Sequence, residues 1–341
     1  MPALHDLTCV VHVHSTHSDG TGTVAEIAAA AVRNSVDVVL LTDHDTLAAR
    51  RAGEAGWHGD VLVLVGEEVT PKDRDHFLAF GLDREVSRNQ PADGIVSDVV
   101  SRGGFGFAAH PFSQGSPRFS RIRGMPWTDF DCEQIEGLEV WSFVTDTGEK
   151  LESLADVVRF VARPERMLGG PPEGNLAEWD RLCQLRRVVG IAGIDAHQIG
   201  IRVRGRVPLR LMSYTRSFRY LRTHVLCEEP LSGELEHDRD QVYDALRAGR
   251  CYMAVESLGP PRGFSFSADE LPMGAEAPFA GQTLRASLPR QARLRLIKDG
   301  EQIQERDGAE LEHTATEPGV YRVEARLGDR SWILSNPVYL R

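Results

Sequence analysis

The sequence predicts an α/β protein whose parallel sheet is long enough to form a barrel, followed by a small antiparallel β-sandwich. Three observations carry this prediction. Apolar runs at residues 9–13, 38–41, 61–65, 105–109 and 188–192 are separated by helical patterns, as buried parallel strands are. The alternation lasts to about residue 258, which divides the chain into units of residues 1–258 and 259–341. Past Gly259-Pro260-Pro261-Arg262-Gly263 the apolar period changes from 3.6 to 2.

The first run is followed by Thr23-x-x-Glu26, a capping box ahead of an alanine-rich helix ending near Asn34. Helical patterns cover residues 94–102 and 148–163. Asn175-x-x-Glu178 opens a further helix, and the 238–248 pattern stops at Gly249 as a helix C-terminus does. The stretches 118–127 and 164–174, rich in Pro and Gly, read as long loops, which in barrel enzymes often cover the site. In the C-terminal unit Leu294 and Leu296 alternate with Arg293 and Arg295, and Tyr321, Val323 and Ala325 alternate with Arg322, Glu324 and Arg326. Asp299-Gly300, Asp307-Gly308 and Pro318-Gly319 are expected to turn the chain.

The composition, 41% hydrophobic and 26% charged over 341 residues, is that of a globular protein with ample core. A net charge of −11 argues against nucleic acid or an anionic membrane as partner. The N-terminus carries no basic and apolar signal-peptide pattern, and no apolar stretch approaches the roughly 20 residues that cross a bilayer. Five scattered cysteines without a CxxC pair read as reduced thiols, so the expected location is cytoplasmic.

The apolar runs lead into metal-binding side chains. The first carries His12-x-His14, which strand alternation would turn to one side, with Asp19 in a tight turn just beyond. The second enters Thr42-Asp43-His44-Asp45, a histidine flanked by carboxylates of the kind that orient an imidazole through its second nitrogen. The third enters Glu67-Glu68, of which alternation lets only one point inward. The fourth meets His110 and the fifth Asp195-Ala196-His197. Ligands at successive strand ends gather at one face of an α/β sheet, and mixed imidazole and carboxylate donors accept zinc, manganese or iron. A metal-dependent hydrolase is the simplest account.

As an ordered set, His12-x-His14 with Asp19-Gly20, Thr42-Asp43-His44-Asp45, Gly66-x-Glu68, His76-Phe-Leu-Ala-Phe-Gly, Ala109-His110-Pro111 and Asp195-Ala-His197 resembles the polymerase-and-histidinol-phosphatase (PHP) family. The resemblance implies a distorted seven-stranded (β/α) barrel with two or three divalent metal ions, in a family that mostly hydrolyses phosphoesters. It selects Glu68 over Glu67. It implies one metal held by His12, His14, Glu68 and Asp195, a second by Glu68, His76 and His110, and a third by Asp19, His44 and His197. Aspartate at position 19 departs from the histidine common in histidinol-phosphatase-like members and leans away from that subgroup. The C-terminal Lys298-Asp299-Gly300 and Trp332-Ile-Leu-Ser-Asn-Pro337 resemble a β domain found beside carbaryl-hydrolase-like metallohydrolases.

The function so expected is a phosphoesterase acting on a small phosphorylated metabolite through a metal-bound hydroxide. A carbamate, ester or amide hydrolase with the same metals stays open, and a catalytically silent metal-binding module is the bland alternative. Asp43 and Asp45 are candidates for orientation or proton transfer, set against helix capping. Arg118, Arg121, Arg123, Arg202 and Arg204 fall in loops near the motifs and are candidates for binding phosphate. Glu139, on an expected strand, reads as a surface or core-edge residue more readily than as a supporting ligand. His5, His17, His58, His224, His237 and His313 match no motif and read as structural. The expected partner is a small molecule, with no nucleic acid and no membrane, and the sequence is compatible with a homo-oligomer.

Overall fold

The β-branched and leucine-rich runs become strands because a pleated sheet buries them on both faces. A computed structural model describes residues 4–116, 118–119, 122–203 and 206–341, without the side chains of residues 199–211. Strands β1 (His5–Val13), β2 (Val38–His44) and β3 (Val61–Val69) are parallel, with β2 between its neighbours. Val38 to Leu41 are fully buried, a gain of roughly 1.5–3 kcal/mol for each such side chain. β4 (Phe77–Phe80) runs antiparallel to β3 and to β5 (Phe105–Ala108). β6 (Gly137–Ser142) and β7 (Val189–Gly193) continue in parallel. On the other flank β1 pairs with β8 (Leu221–Cys227), and β8 with β9 (Cys251–Val255), both antiparallel.

Two features depart from the predicted parallel barrel. The seven residues 70–76 are too few for a parallel crossover, which needs a dozen or more, so the chain reverses into β4 through positive-φ residues at Asp73 and Asp75. The sheet is also not closed. β7 meets β1 through the isolated bridge Val13–Ala196 and bonds such as Ile194 N–H to Val11 O (2.9 Å), without a continuous ladder. Asp195, at φ 53°, turns the chain out of β7 at that point.

Helix α1 (Val24–Val32) carries the predicted capping box: Glu26 N–H donates to Thr23 Oγ1 (3.2 Å), and Thr23 N–H donates to Glu26 Oε2 (3.0 Å). α2 (Ala92–Ser101) follows, and the pattern expected at 148–163 is divided between α3 (Phe143–Gly148) and α4 (Leu154–Ala162). α5 (Glu173–Leu185) begins before Asn175, which is no cap. Its buried Nδ2 donates to Val140 O (2.9 Å) and pins the helix to β6. α6 (Leu235–Arg247) stops ahead of Gly249, whose φ of 71° suits glycine.

In the C-terminal unit, β10 (Ser265–Ala268), β11 (Thr283–Lys298), β12 (Glu301–Thr314), β13 (Gly319–Leu327), β14 (Arg330–Ser335) and β15 (Val338–Leu340) form antiparallel ladders. Asp299-Gly300 turns the chain as expected, but Asp307-Gly308 lies inside β12, because the sixteen-residue β11 supplies partners on both sides of it. The unit is not a detached sandwich. β14 pairs with β9, so eighteen strands hydrogen-bond into one network among the described residues. Leu226, Tyr252 and Ala254 share a core with Trp332 and Ile333. The 164–174 segment packs against this unit (Ser331 N–H to Gly169 O, 2.8 Å) and supplies none of the residues that line the candidate site below.

A buried ion network ties α5 to this sheet. Arg322 donates to both oxygens of Asp180 (2.6 and 2.7 Å) and to Glu324 (2.6 Å), with Trp179 beneath the guanidinium. Removing one partner of such a pair leaves a buried charge uncompensated, at a cost of about 3–5 kcal/mol. Asp180→Ala is therefore expected to lower unfolding stability in urea by about that amount. A loss below about 1 kcal/mol would mean that the network is solvated on opening and does not lock the two regions.

Candidate metal centre

All nine predicted donors come together at one edge of the sheet. His12 and His14 arrive from β1 through a β-bulge: Val11 and Val13 face consecutive β2 residues, and His12, at φ 65°, is the extra residue between them. Their convergence thus owes more to the bulge than to regular alternation. Glu68 stands opposite His44 in the β2–β3 register. Glu67 turns the other way and accepts Val86 N–H (2.7 Å); burial pushes its carboxyl up to about 7. His76 leads into β4, His110 follows β5 at φ 32°, and Asp195 follows β7. Such left-handed residues are uncommon outside glycine and cluster where the surrounding fold holds a functional geometry.

Glu68 is the hub. Its Oε2 lies 3.2 Å from His12 Nε2, 3.4 Å from His14 Nε2 and 3.0 Å from His44 Nδ1. Its Oε1 lies 2.8 Å from His76 Nδ1 and 3.4 Å from His110 Nε2. Asp195 Oδ1 is 3.5 Å from His12 Nε2 and 3.4 Å from both His14 Nε2 and His197 Nδ1. Asp19 Oδ1 is 3.0 Å from His197 Nε2 and 3.5 Å from His44 Nε2. The ligand atoms fall into overlapping groups, each within 4.8 Å: His12 with His14 and Glu68; His12 with His110 and Asp195; Glu68 with His76 and His110; and His14, Asp19, His44 with His197. The first and third are buried and the second is buried save for the half-buried Asp195; the fourth is open, with the Asp19 side chain 60% exposed.

Several of these atoms are buried without a hydrogen-bond partner: His12 Nε2, both ring nitrogens of His14, His44 Nδ1, Glu68 Oε2 and His110 Nδ1. An unmet buried polar atom costs roughly 1–3 kcal/mol, and native proteins rarely keep several together. Close approach without hydrogen-bond geometry is what converging ligands show, and mixed nitrogen and oxygen donors suit divalent zinc, manganese or iron. The residues therefore fit divalent cations.

The buried carboxylates and rings set one another's protonation. Burial, with His197 and His44 adding repulsion, pushes the His14 imidazole down to about 3, the neutral form that ligates. Burial pulls His44 down too, but the Glu68 carboxylate outweighs it and raises the ring to about 9. Burial raises the Glu68 carboxyl, yet the His12, His44 and His76 rings outweigh it and hold it well below the usual range. Burial likewise raises Asp19, and the hydrogen bond from His197 reverses this, to about 2. Cation binding would release the protons that raised rings such as His44 carry.

Glu139 is the residue that sequence reasoning misjudged. It is fully buried on β6, not at a core edge. Its carboxylate sits 3.1 Å from His12 Nδ1 through both oxygens and accepts His110 N–H at 2.7 Å. Outer carboxylates of this kind fix the tautomer of a ligating imidazole. Gly193 makes the room, since a Cβ there would lie 1.9 Å from Glu139 Oε1. The signal available in the sequence was an acid inside the apolar run Gly137-Leu138-Glu139-Val140-Trp141.

Asp43 and Asp45 are both held by hydrogen bonds from the loops beside the donors. Asp43 accepts Ser15 N–H (2.7 Å), Ser15 Oγ–H (2.6 Å) and Ser18 Oγ–H (2.6 Å), holding the turn that presents Asp19. Asp45 accepts Thr70 N–H (2.9 Å) and Thr70 Oγ–H (2.6 Å). His17 pairs with Glu54 (2.5 Å), and His224 lies between Asp6 (2.7 Å) and Glu256 (2.8 Å), both apart from the donors.

A cavity of about 370 Å³ opens over His44, Glu68, His76, His110, Asp195 and His197. A larger one, of about 670 Å³, holds none of the donors, so the chemistry belongs to the smaller. Arg123 lines the smaller cavity; Arg118 is exposed and outside its lining. Arg121, Arg204 and the side chain of Arg202 lie outside the described residues. No helix among the described residues is long and apolar enough to cross a membrane.

No family model matches the chain, and no curated protein matches it. Among solved structures, it is similar to a two-domain protein from Bacteroides vulgatus described as containing a predicted PHP-like metal-dependent phosphoesterase (14% identity, 98% of this chain and 95% of that one, TM-score 0.47). It is also similar to a candidate metal-dependent phosphoesterase from Bifidobacterium adolescentis (17% identity, 59% of this chain and 89% of that one, TM-score 0.34). A third is an amidohydrolase from Chromobacterium violaceum with bound sulfate and no metal (17% identity, 55% and 87% coverage, TM-score 0.28). Two of these neighbours are thus described as metal-dependent phosphoesterases, one of them PHP-like, and the third as an amidohydrolase, all at low identity.

Proposed function

We propose that the chain is a metal-dependent hydrolase of PHP type, cleaving a phosphoester of a small molecule. Residues 1–258 carry the site and residues 259–341 brace it. The supporting observation is the convergence of nine donors, several buried and unpartnered, beneath one open cavity. In this reading His12, His14, Glu68 and Asp195 hold one ion, Glu68, His76 and His110 a second, and Asp19, His44 and His197 a third. Bound dications, zinc, manganese or iron, supply Lewis-acid polarisation of the scissile group and activation of water.

The chain's own residues do the rest. Glu139 orients His12, and Thr145 Oγ–H donates to Asp195 Oδ2 (3.1 Å), which keeps that carboxylate facing the cluster. Asp43 holds the turn that bears Asp19. Three carboxylates among neutral imidazoles leave a loaded site net positive, which favours an anionic phosphate. The apolar cavity wall favours the second reading, a carbamate, ester or amide substrate.

Metal-loaded protein is expected to release p-nitrophenol from p-nitrophenyl phosphate with manganese or zinc, and His12→Ala is expected to abolish it. Inactivity on a broad panel of phosphate esters, with metal bound, would overturn the phosphoester reading.

A further inference from the structure

The cavity over the donors has one wall of a different character. Besides the donors it is lined by Ile122, Met125, Val144, Leu151 and Phe160, with Ser113, Thr145 and Gly148 among them and one guanidinium, Arg123. Leu151 and Phe160 are buried, and Ile122, Met125 and Val144 are half-buried. Ile122 and Met125 come from the stretch between β5 and β6, Val144 from α3 and Phe160 from α4, so three segments of the fold assemble the patch. Arg123 is 69% exposed and only 4.0 Å from Asp73, a solvated charge at the rim. A polyhydroxylated group there would find only the Ser113 and Thr145 hydroxyls and the Arg123 guanidinium in place of its water, and would lie otherwise against apolar side chains, an unfavourable exchange.

We infer that the group carried by the scissile bond is apolar and compact, an aryl or short branched alkyl moiety, and not a sugar or polyol. Size permits this: a dry apolar cavity of roughly 150 Å³ accepts a benzene ring, and the cavity here measures about 370 Å³. The remainder suffices for the reacting group beside the donors. The inference rests on the hydrolytic reading of the metal centre, but it concerns the apolar wall and is separable from the phosphoester assignment.

The test compares benzyl phosphate with glycerol 2-phosphate on metal-loaded protein, since both leave as alkyl alcohols and differ in the group to be bound. Benzyl phosphate is expected to have the higher kcat/KM by at least tenfold, because each methylene-sized apolar group filled is worth roughly 10–200-fold. Val144→Thr, which keeps the shape and adds a hydroxyl, is expected to narrow that ratio, and Phe160→Leu to narrow it again. Equal rates, or a preference for glycerol 2-phosphate, would overturn the inference while leaving the phosphoesterase intact. If no phosphate ester turns over, calorimetric binding of benzylphosphonate against 2-hydroxyethylphosphonate decides. Tighter benzylphosphonate upholds the apolar wall as the phosphoester reading falls; equal affinity, or no binding of either, overturns it.

Discussion

Glu68→Gln is expected to lower kcat/KM by at least ~10³-fold. Lewis-acid stabilisation is worth several kcal/mol and each ~1.4 kcal/mol is a factor of ten in rate. Glu68 approaches five imidazoles, His12, His14, His44, His76 and His110, and no other donor reaches so many. Glutamine keeps the volume but offers one neutral acceptor where two anionic oxygens stood. Metal content by mass spectrometry is expected to fall by more than one ion per chain, with the circular dichroism spectrum unchanged. Full metal content and activity in Glu68→Gln would remove Glu68 from the centre of the account. The neighbouring Glu67→Gln is expected to spare metal content, since Glu67 faces the Val86 backbone.

Glu139→Ala is expected to weaken metal binding by about 10–100-fold, the range seen when the outer partner of a ligating imidazole is lost. His12 would then lack the acceptor that fixes its ring, and His110 N–H would lose its bond. Glu139→Gln still offers one acceptor, so its defect is expected to be smaller. Gly193→Ala is an independent route to the same defect, because the added methyl would meet the carboxylate at 1.9 Å. Chelator competition measures both. If neither variant shifts the metal dissociation constant, Glu139 is a satisfied core acid and not a positioning residue.

His12, His14, His44, His110, Asp195 and His197 were legible because they close or follow apolar runs, where a polar residue is seldom there for packing alone, whereas His76 and the choice of Glu68 over Glu67 came from the family resemblance. The strands bearing His12, His44 and Glu68 were legible for the same reason. Glu139 was not. One acid on a strand looks like an edge residue until the partner across the sheet is known, and His12 lies 127 positions away. The antiparallel insertion of β4 was in principle readable from the seven residues that precede it, too short a link for a crossover. The bulge at His12 leaves no mark in composition, because one extra residue in a strand looks like any other. The union of the C-terminal strands with β9 depends on pairing between Cys251–Val255 and Arg330–Ser335, a long-range register that period-2 patterning does not encode.

The roles expected of Asp43 and Asp45 show the same limit from the other side. Flanking carboxylates suggested a role at His44, and in the fold Asp43 accepts from Ser15 and Ser18 while Asp45 accepts from Thr70 and Arg88. Sequence spacing places such acids near a site; only the hydrogen-bond partners say which side they serve.

The most direct experiment is anomalous scattering from crystals grown with manganese or zinc. Two or three peaks are expected among His12, His14, Asp19, His44, Glu68, His76, His110, Asp195 and His197, at about 2.0–2.2 Å from donor atoms for zinc, with Glu68 touching two of them. A map with no peak among these side chains at saturating metal, or with peaks only elsewhere on the molecule, would contradict the account.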